Sequence, residues 1–418
     1  MTLAHESLRC PGMHDLSPEE MERFRRVEQV FRSSCEAWGF SEIRTPVIEH
    51  LHLFTSAGTL SPQMLGRVYS FLDWDGWSGE RVVLRPDATI PAARLYWERS
   101  RGQIAKYFYV ENIFRFAPSE ERREVWQCGA ELIGESWPLG DLEVITVVRG
   151  ILEQLGFAEP TLRLSHTGII RAILSAAGYT PEQQLALYDR LIDGDLGVYG
   201  GIEARLPEAA APLAMLRDLT DGHVDGLENL RSAFELTLPQ IVQPIEELRT
   251  VAATLEAAGR PYVLDLTIVR GFEYYTGPVF HILIDGQNVA GGGRYDVLVA
   301  SQEGHSVPAC GFAISVEPLL ALLPGSNATL AAMVDVVPAN RSAQDLASAL
   351  EVVTALHAEG HSAELVHAGR ETAGAWELRL ERRRGRSHYR LQYGRTGTVV
   401  ETESMQQVQR ALARGSGA

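Results

Sequence analysis

The chain has 418 residues, 45% of them hydrophobic and 22% charged, with a formal net charge of -16. That balance excludes a disordered or fibrous chain and leaves enough length for a large core plus a smaller domain. The acidic surface repels phosphate backbones, so nucleic acid is not an expected partner without a strong basic patch. Four scattered cysteines with no C-x-x-C pair argue against a disulfide framework or a cysteine zinc site and fit a reducing cytoplasm.

In chain order, "MTLAHESLRCPGMHDLSPEE" lacks a basic-then-apolar signal pattern, and no stretch approaches a membrane span, so no membrane role is expected. Ser17, Pro18 and Glu20 read as N-cap, first helical residue and capping-box partner. Met21, Phe24, Val27, Phe31, Cys35 and Trp38 keep helical spacing, and Gly39 is a stop signal. "EIRTPVIE" begins strand structure. "RVVLRP", "KYFYVENIFRF" and "EVWQCGAELIG" read as strands, with "APSEERR" as a hairpin loop between the last two. "DLEVITVVRGILEQLGF" reads as an amphipathic helix ended by Gly156. Residues 168–258 are Leu- and Ala-rich with helical periodicity and read as a helical insertion. Strands return at "PYVLDLTIVRG", "VFHILID" and "ACGFAISVE". After a linker at "LLPGSNATLAAM", a strand (332–338), a helix (342–358), a strand (362–367), a helix (373–384), two short strands and a last helix predict a small α/β domain over 330–418.

Strand side chains alternate between faces. Tyr107, Tyr109, Glu111, Ile113 and Arg115 therefore share one face, as do Gln127, Gly129, Glu131 and Ile133. If these strands pair, Arg115, Gln127 and Glu131 line one surface with space left at Gly129. Such a surface is either a ligand site or a solvated sheet face. The run "AGGGRYD" (290–296) is not a P-loop, since no Lys-Ser or Lys-Thr follows; it reads as a turn. The twelve histidines show no metal-ligating spacing, His281 and His305 read as surface or satisfied core residues, and no G-x-S-x-G elbow is present. No cofactor and no metal are expected.

"PGMHDLSPEE" with "GFSEIRTPVIE", then "LRPDATIPAAR", "YVENIFRF…REVWQCGAELIG", "VRGFEYYTGPVF", "GGGRYD" and "GFAISVE", together resemble the core of a class II aminoacyl-tRNA synthetase of the histidyl type. The resemblance covers residues 10 to 325, and its two-tyrosine segment is the most specific part. It implies an α+β fold with a mixed, mostly antiparallel sheet flanked by helices, in a core over 1–325, followed by an abbreviated anticodon-binding domain. It also implies a histidine pocket. Asp87 and Thr89 would meet the amino group. Arg115 and Gln127 would lie on the carboxylate side with Arg270 beside them. Glu131, Tyr275 and Tyr295 would surround the imidazole, whose one donor and one acceptor a carboxylate and a phenol can satisfy. Tyr274 reads as a packing residue, Arg115 also fits a structural ion pair, and Asp87 also fits a local cap.

The pattern departs from the synthetase where ATP is handled. Pro318 stands where the third motif has its arginine, and proline supplies neither cation nor backbone N–H. Ala117 replaces the second motif's glutamate, and Asp87 shortens another glutamate by one methylene. Binding residues kept and ATP residues lost resemble the synthetase-like paralogue that serves as regulatory subunit of ATP phosphoribosyltransferase. The resemblance implies a non-catalytic chain in histidine biosynthesis, histidine as feedback signal, and a homodimer within a hetero-oligomer with a short-form catalytic subunit. An active histidyl-tRNA synthetase and a stand-alone histidine sensor are the alternatives. "RLERRRGRSHYR", with Arg379, Arg382, Arg383, Arg384, Arg386 and Arg390, reads either as a contact for RNA phosphates or as a solvated helix end and turn.

Overall fold

The computed structural model describes residues 9–56, 65–74, 79–116, 122–192, 195, 197–219, 224–266, 275–299, 306–324, 333–366, 376–383, 386–394, 397 and 399–415. The chain forms two compact units, Met1–Gly325 and Ser326–Ala418. Among the described residues, no helix is long and apolar enough to cross a membrane.

In the first unit, the helix Pro18–Ala37 begins as its sequence predicts. Ser17 accepts from the Glu20 N–H and the Glu20 side chain accepts from the Ser17 N–H, closing the capping box. Phe24, Val27, Phe31 and Cys35 are buried, and Gly39 follows the C-cap at φ +79°, a left-handed conformation that favours glycine. Strands β1 (Ser41–Glu42), β2 (Ile48–His50), β3 (Ser70–Trp74) and β4 (Gly79–Leu84) follow. Then come the helix Thr89–Arg99, β5 (Ala105–Phe114), β6 (Glu124–Ile133), the helix Leu139–Gln154 and β7 (Thr161–His166). Helices from Thr167–Ala176 to Val242–Ala257 lie between β7 and β8 (Val263–Leu264), and β9 (Pro278–Ile284), β10 (Gln287–Arg294), β11 (Ala309–Ser315) and the helix Val316–Leu322 complete the unit.

The main sheet has the order β1-β5-β6-β11-β10-β9-β7-β8. The β1–β5 and β7–β8 pairs are parallel and the others antiparallel. This is the mixed, mostly antiparallel sheet expected. A smaller antiparallel sheet has the order β2-β4-β3. One face of the main sheet carries Phe108, Val110, Cys128, Ala130, Leu132, Phe312 and Ile314 into a core shared with Phe24, Phe31, Val144 and Val148 of the flanking helices. Each buried Val, Leu, Ile or Phe among them contributes roughly 1.5–3 kcal/mol.

The glycine run is not a turn. Gly291, Gly292 and Gly293 lie inside β10, paired with β9 on one side and β11 on the other. A Cβ on Gly292 would collide with the Gly311 carbonyl and one on Gly293 with the Pro278 carbonyl, so close approach of neighbouring backbone explains the glycines.

The second unit holds β12 (Val334–Val337), the helix Ala343–Ala358, β13 (Ala363–Leu365), β14 (Trp376–Arg383), β15 (Arg386–Tyr393), β16 (Val399–Thr402) and the helix Met405–Gly415. Its sheet order is β13-β12-β14-β15-β16. The helix expected over 373–384 is a strand where described. Trp376, Leu378 and Leu380 alternate into the core while Arg379 and Arg383 point outward, a period of two that the charge run obscures. The basic segment is therefore a β-hairpin, with Arg384 outside the described residues. Its arginines face carboxylates: Arg379 pairs with Glu377, Arg383 with Glu381 (2.8 Å), and Arg386 with Glu403 (3.8 Å).

Candidate functional site

The polar face of the main sheet is built by register. Glu131 stands opposite Tyr107 of β5 and Gly311 of β11, Gly129 opposite Tyr109, and Gln127 opposite Glu111 and Ser315. The helix Thr89–Arg99 covers this face, with Ala88 and Ala92 packed on Tyr109 and Ile113. Glu131 is 1% exposed and Tyr109 fully buried, so this part of the face is enclosed and not solvated.

Both Glu131 oxygens are engaged. Tyr109 donates its hydroxyl to Oε1 at 2.9 Å, and Tyr295 donates to Oε2. Two glycines make this possible: a Cβ on Gly311 would overlap Glu131 Oε2, and one on Gly129 would overlap the Tyr109 ring. The space that the sequence leaves at Gly129 is thus filled by Tyr109, from the strand next door. Burial pushes the Glu131 carboxyl up to about 8, opposed by hydrogen bonds from Tyr295, Thr89 and Tyr109 and reinforced by the Asp87 charge.

Asp87 caps the covering helix. Its Oδ1 accepts from the Ile90 N–H at 3.1 Å, and burial pushes its carboxyl up, against the pull of the Arg115 charge and of the Ile90 and Thr89 N–H groups. Arg115 lies just beyond β5, exposed, with Nε donating to the Pro86 carbonyl at 2.8 Å. Gln127 is half-buried on the same face. Tyr275 and Tyr107 are half-buried, and each packs against the small cluster that contains Tyr295 and Ile133. Glu131, Tyr295, Thr89 and Asp87 therefore form one connected group, with Arg115 at its edge. Arg270 and Tyr274 lie outside the described residues, as do Ala117 and His305.

Three features were not singled out from sequence. Tyr109 shares the polar face and stands opposite a glycine, a signal visible once register is known. The buried pair Glu111–Arg85 (2.7 Å, both 3% exposed) is held further by Thr45, whose N–H and hydroxyl donate to the carboxylate at 2.6 and 2.8 Å. Glu111 thus serves to anchor β5 to the β1–β2 segment. Arg294, at the end of the glycine run, is buried with its Nε 3.0 Å from Asp141 Oδ2 and its Nη1 3.1 Å from Asp296. Burial disfavours the Arg294 charge, but the Asp141 hydrogen bonds outweigh it and hold the guanidinium protonated.

At the third motif, Glu317 Oε1 accepts from the Trp126 N–H at 2.9 Å. Pro318 sits in the first turn of the helix Val316–Leu322, where a backbone N–H has no intrahelical partner and proline is tolerated. The fold therefore accepts proline here, and the position presents no cation. Among the described residues, no group of three or more His, Cys, Asp or Glu side chains is placed to hold a metal ion.

Residues 12–319 match the histidyl-tRNA synthetase family profile. An ATP phosphoribosyltransferase regulatory subunit from Dehalococcoides mccartyi is 42% identical over 380 residues, covering 89% of this chain and 91% of its own. A histidine–tRNA ligase from Methanosarcina acetivorans is 35% identical over 324 residues, covering 75% of each chain. Among solved structures, an ATP phosphoribosyltransferase regulatory subunit/histidyl-tRNA synthetase from Bacillus halodurans superposes with a TM-score of 0.72 at 25% identity, covering 87% of this chain and 94% of its own. The chain belongs to the histidyl-tRNA synthetase family and, within it, resembles the regulatory subunits of ATP phosphoribosyltransferase.

Proposed function

We propose that this chain is the non-catalytic regulatory subunit of an ATP phosphoribosyltransferase and binds histidine as its feedback signal. The observation that carries the reading is the pairing of an enclosed polar site, Glu131 held by Tyr109 and Tyr295, with Pro318 at the start of the third-motif helix. A buried carboxylate among phenols suits a ring that offers a donor and an acceptor. Adenylation needs cations on the phosphates, and proline offers none. The 42% identity to a chain named as a regulatory subunit supports the same branch. Asp87 and Thr89 are assigned to the ligand's amino group, Arg115, Gln127 and Arg270 to its carboxylate side, and Glu131, Tyr275 and Tyr295 to its imidazole. The assembly proposed is a cytoplasmic homodimer within a hetero-oligomer with the short-form catalytic subunit, and the second unit is read as an abbreviated anticodon-binding domain.

A ligand biases a partner only through differential affinity for two states. The test is therefore reconstitution with a short-form catalytic subunit. Mixing restores phosphoribosyltransferase activity, histidine inhibits it, and Glu131→Gln blunts that inhibition. Histidine-dependent ATP–pyrophosphate exchange by the purified chain would instead favour the active synthetase, which the 35% identity to a histidine–tRNA ligase keeps as the second reading. Histidine binding without any effect on the catalytic subunit would leave a stand-alone sensor.

A further inference from the structure

The main chain that leads from Tyr275 into β9 is gripped by the helical insertion. Thr167, the first residue of the helix Thr167–Ala176, donates its hydroxyl to the carbonyls of Tyr275 and Gly277, both at 3.2 Å. Its N–H donates to the Gly277 carbonyl at 3.2 Å. One turn later, Arg171 Nη2 donates to the Tyr275 carbonyl at 3.1 Å. Burial disfavours the Arg171 charge, which makes a guanidinium at this place costly unless it is used.

The far end of the insertion reaches the same point. His166 is buried, and its Nδ1 accepts from the Gly168 N–H at 3.0 Å. Its Nε2 therefore carries a proton and donates to Glu247 at 2.9 Å, on the helix Val242–Ala257. Opposite this grip, the Thr276 N–H donates to the Arg294 carbonyl at 2.7 Å, and a Cβ on Gly277 would touch the Arg294 side chain at 3.1 Å. Residues 275–277 are thus held between the insertion and β10, while Tyr275 packs against the apolar cluster that contains Tyr295, whose hydroxyl donates to Glu131.

We propose that Arg171 is a positioning residue for the pocket: by holding the Tyr275 carbonyl it sets the Tyr275 ring, so that ligand affinity depends on the helical insertion. This rests on the histidine reading of the site. The residue touches no ligand itself, and its effect passes through the backbone of Tyr275. Two donors on one carbonyl fix a peptide plane that contains the Tyr275 Cα, and so constrain the direction in which the Tyr275 side chain leaves the backbone.

The test compares wild type with Arg171→Met, Arg171→Lys and an Arg190→Met control. Arg190 is an exposed insertion arginine paired with Asp195. Histidine affinity is measured by calorimetry, and amide exchange of residues 276–284 is measured without ligand. Arg171→Met is expected to weaken histidine about tenfold and speed exchange at Thr276. Arg171→Lys, which keeps a donor, should recover most of both effects, and Arg190→Met should change neither. The double variant Arg171→Met with Tyr275→Phe should bind no more weakly than Tyr275→Phe alone. Wild-type affinity in Arg171→Met, or fully additive losses in the double variant, overturns the inference. If Arg171→Met does not fold, wild-type affinity and exchange with Arg171→Met replaced by Arg171→Ala or Arg171→Gln are read by the same criteria. If wild type binds no histidine, the functional reading fails; the positioning role is then decided by exchange, and unchanged exchange in the variants overturns it.

Discussion

Replacing Glu131 by glutamine tests whether this buried carboxylate stores a proton. The side chain is 1% exposed and accepts two phenolic hydroxyls, and its carboxyl is pushed up from an ordinary 4.5 to about 8. The folded protein therefore keeps a proton on Glu131 through a range in which the unfolded chain has lost it. The stabilisation from this group is fully present below about pH 4.5 and is lost as pH rises through about 8, because the folded state binds the extra proton. One unit of pKa difference is worth about 1.4 kcal/mol, so two pH units inside that window correspond to at most about 3 kcal/mol, and relaxation of the buried site brings this to about 2 kcal/mol. Glutamine matches the neutral acid in shape and does not titrate. In urea unfolding at about pH 5.5 the variant should lie within about 1 kcal/mol of wild type, the usual scale of one altered hydrogen bond. At about pH 7.5 it should have gained about 2 kcal/mol relative to wild type. Groups away from the site titrate equally in both chains and cancel in the difference, and Asp87, whose charge acts on Glu131, is coupled to the change. A stability difference that is flat with pH would refute the reasoning, and would mean that Glu131 is ionised in the folded protein at neutral pH.

Gly311→Ala should cost about 1–3 kcal/mol in thermal unfolding and abolish histidine binding in calorimetry, because its Cβ overlaps Glu131 Oε2; wild-type behaviour in both would mean that the sheet yields there. Asp141→Asn should cost about 3 kcal/mol in chemical denaturation, since it weakens the hydrogen bonds that compensate the buried Arg294 guanidinium. In the hairpin of the second unit, replacing Arg383 and Arg386 by alanine should change stability by less than about 1 kcal/mol, as their carboxylate partners are exposed pairs; a larger loss would show that the hairpin depends on these charges. A filter assay at physiological salt should find no tight histidine-tRNA binding, and tight binding would give the hairpin arginines a nucleic-acid role.

The helix Pro18–Ala37 was legible to its cap because a capping box and a 3.6-residue apolar period are local properties of the chain. The sharing of one face by Gln127, Gly129 and Glu131 was legible too, since alternation along a strand needs no partner. The motif resemblance implied that Glu131 and Tyr295 lie near one another, and the structure joins the two side chains by a hydrogen bond. Other features depended on which strands lie side by side. Gly129 and Gly311 acquire their meaning only when β5 and β11 flank β6, bringing the Tyr109 ring and the Glu131 carboxylate over them. The run at 291–293 reads as a turn because three glycines have no side-chain pattern; it is a strand paired on both sides, where neighbouring carbonyls leave no room for a Cβ on Gly292 or Gly293. The hairpin of the second unit was hidden by its arginines, whose charge masks the alternation of Trp376, Leu378 and Leu380. The grip of Thr167 and Arg171 on Tyr275 joins residues 104 to 108 positions apart. Local pattern fixes which residues can share a face, but contacts across such distances are set by sheet order, which only the packed chain determines.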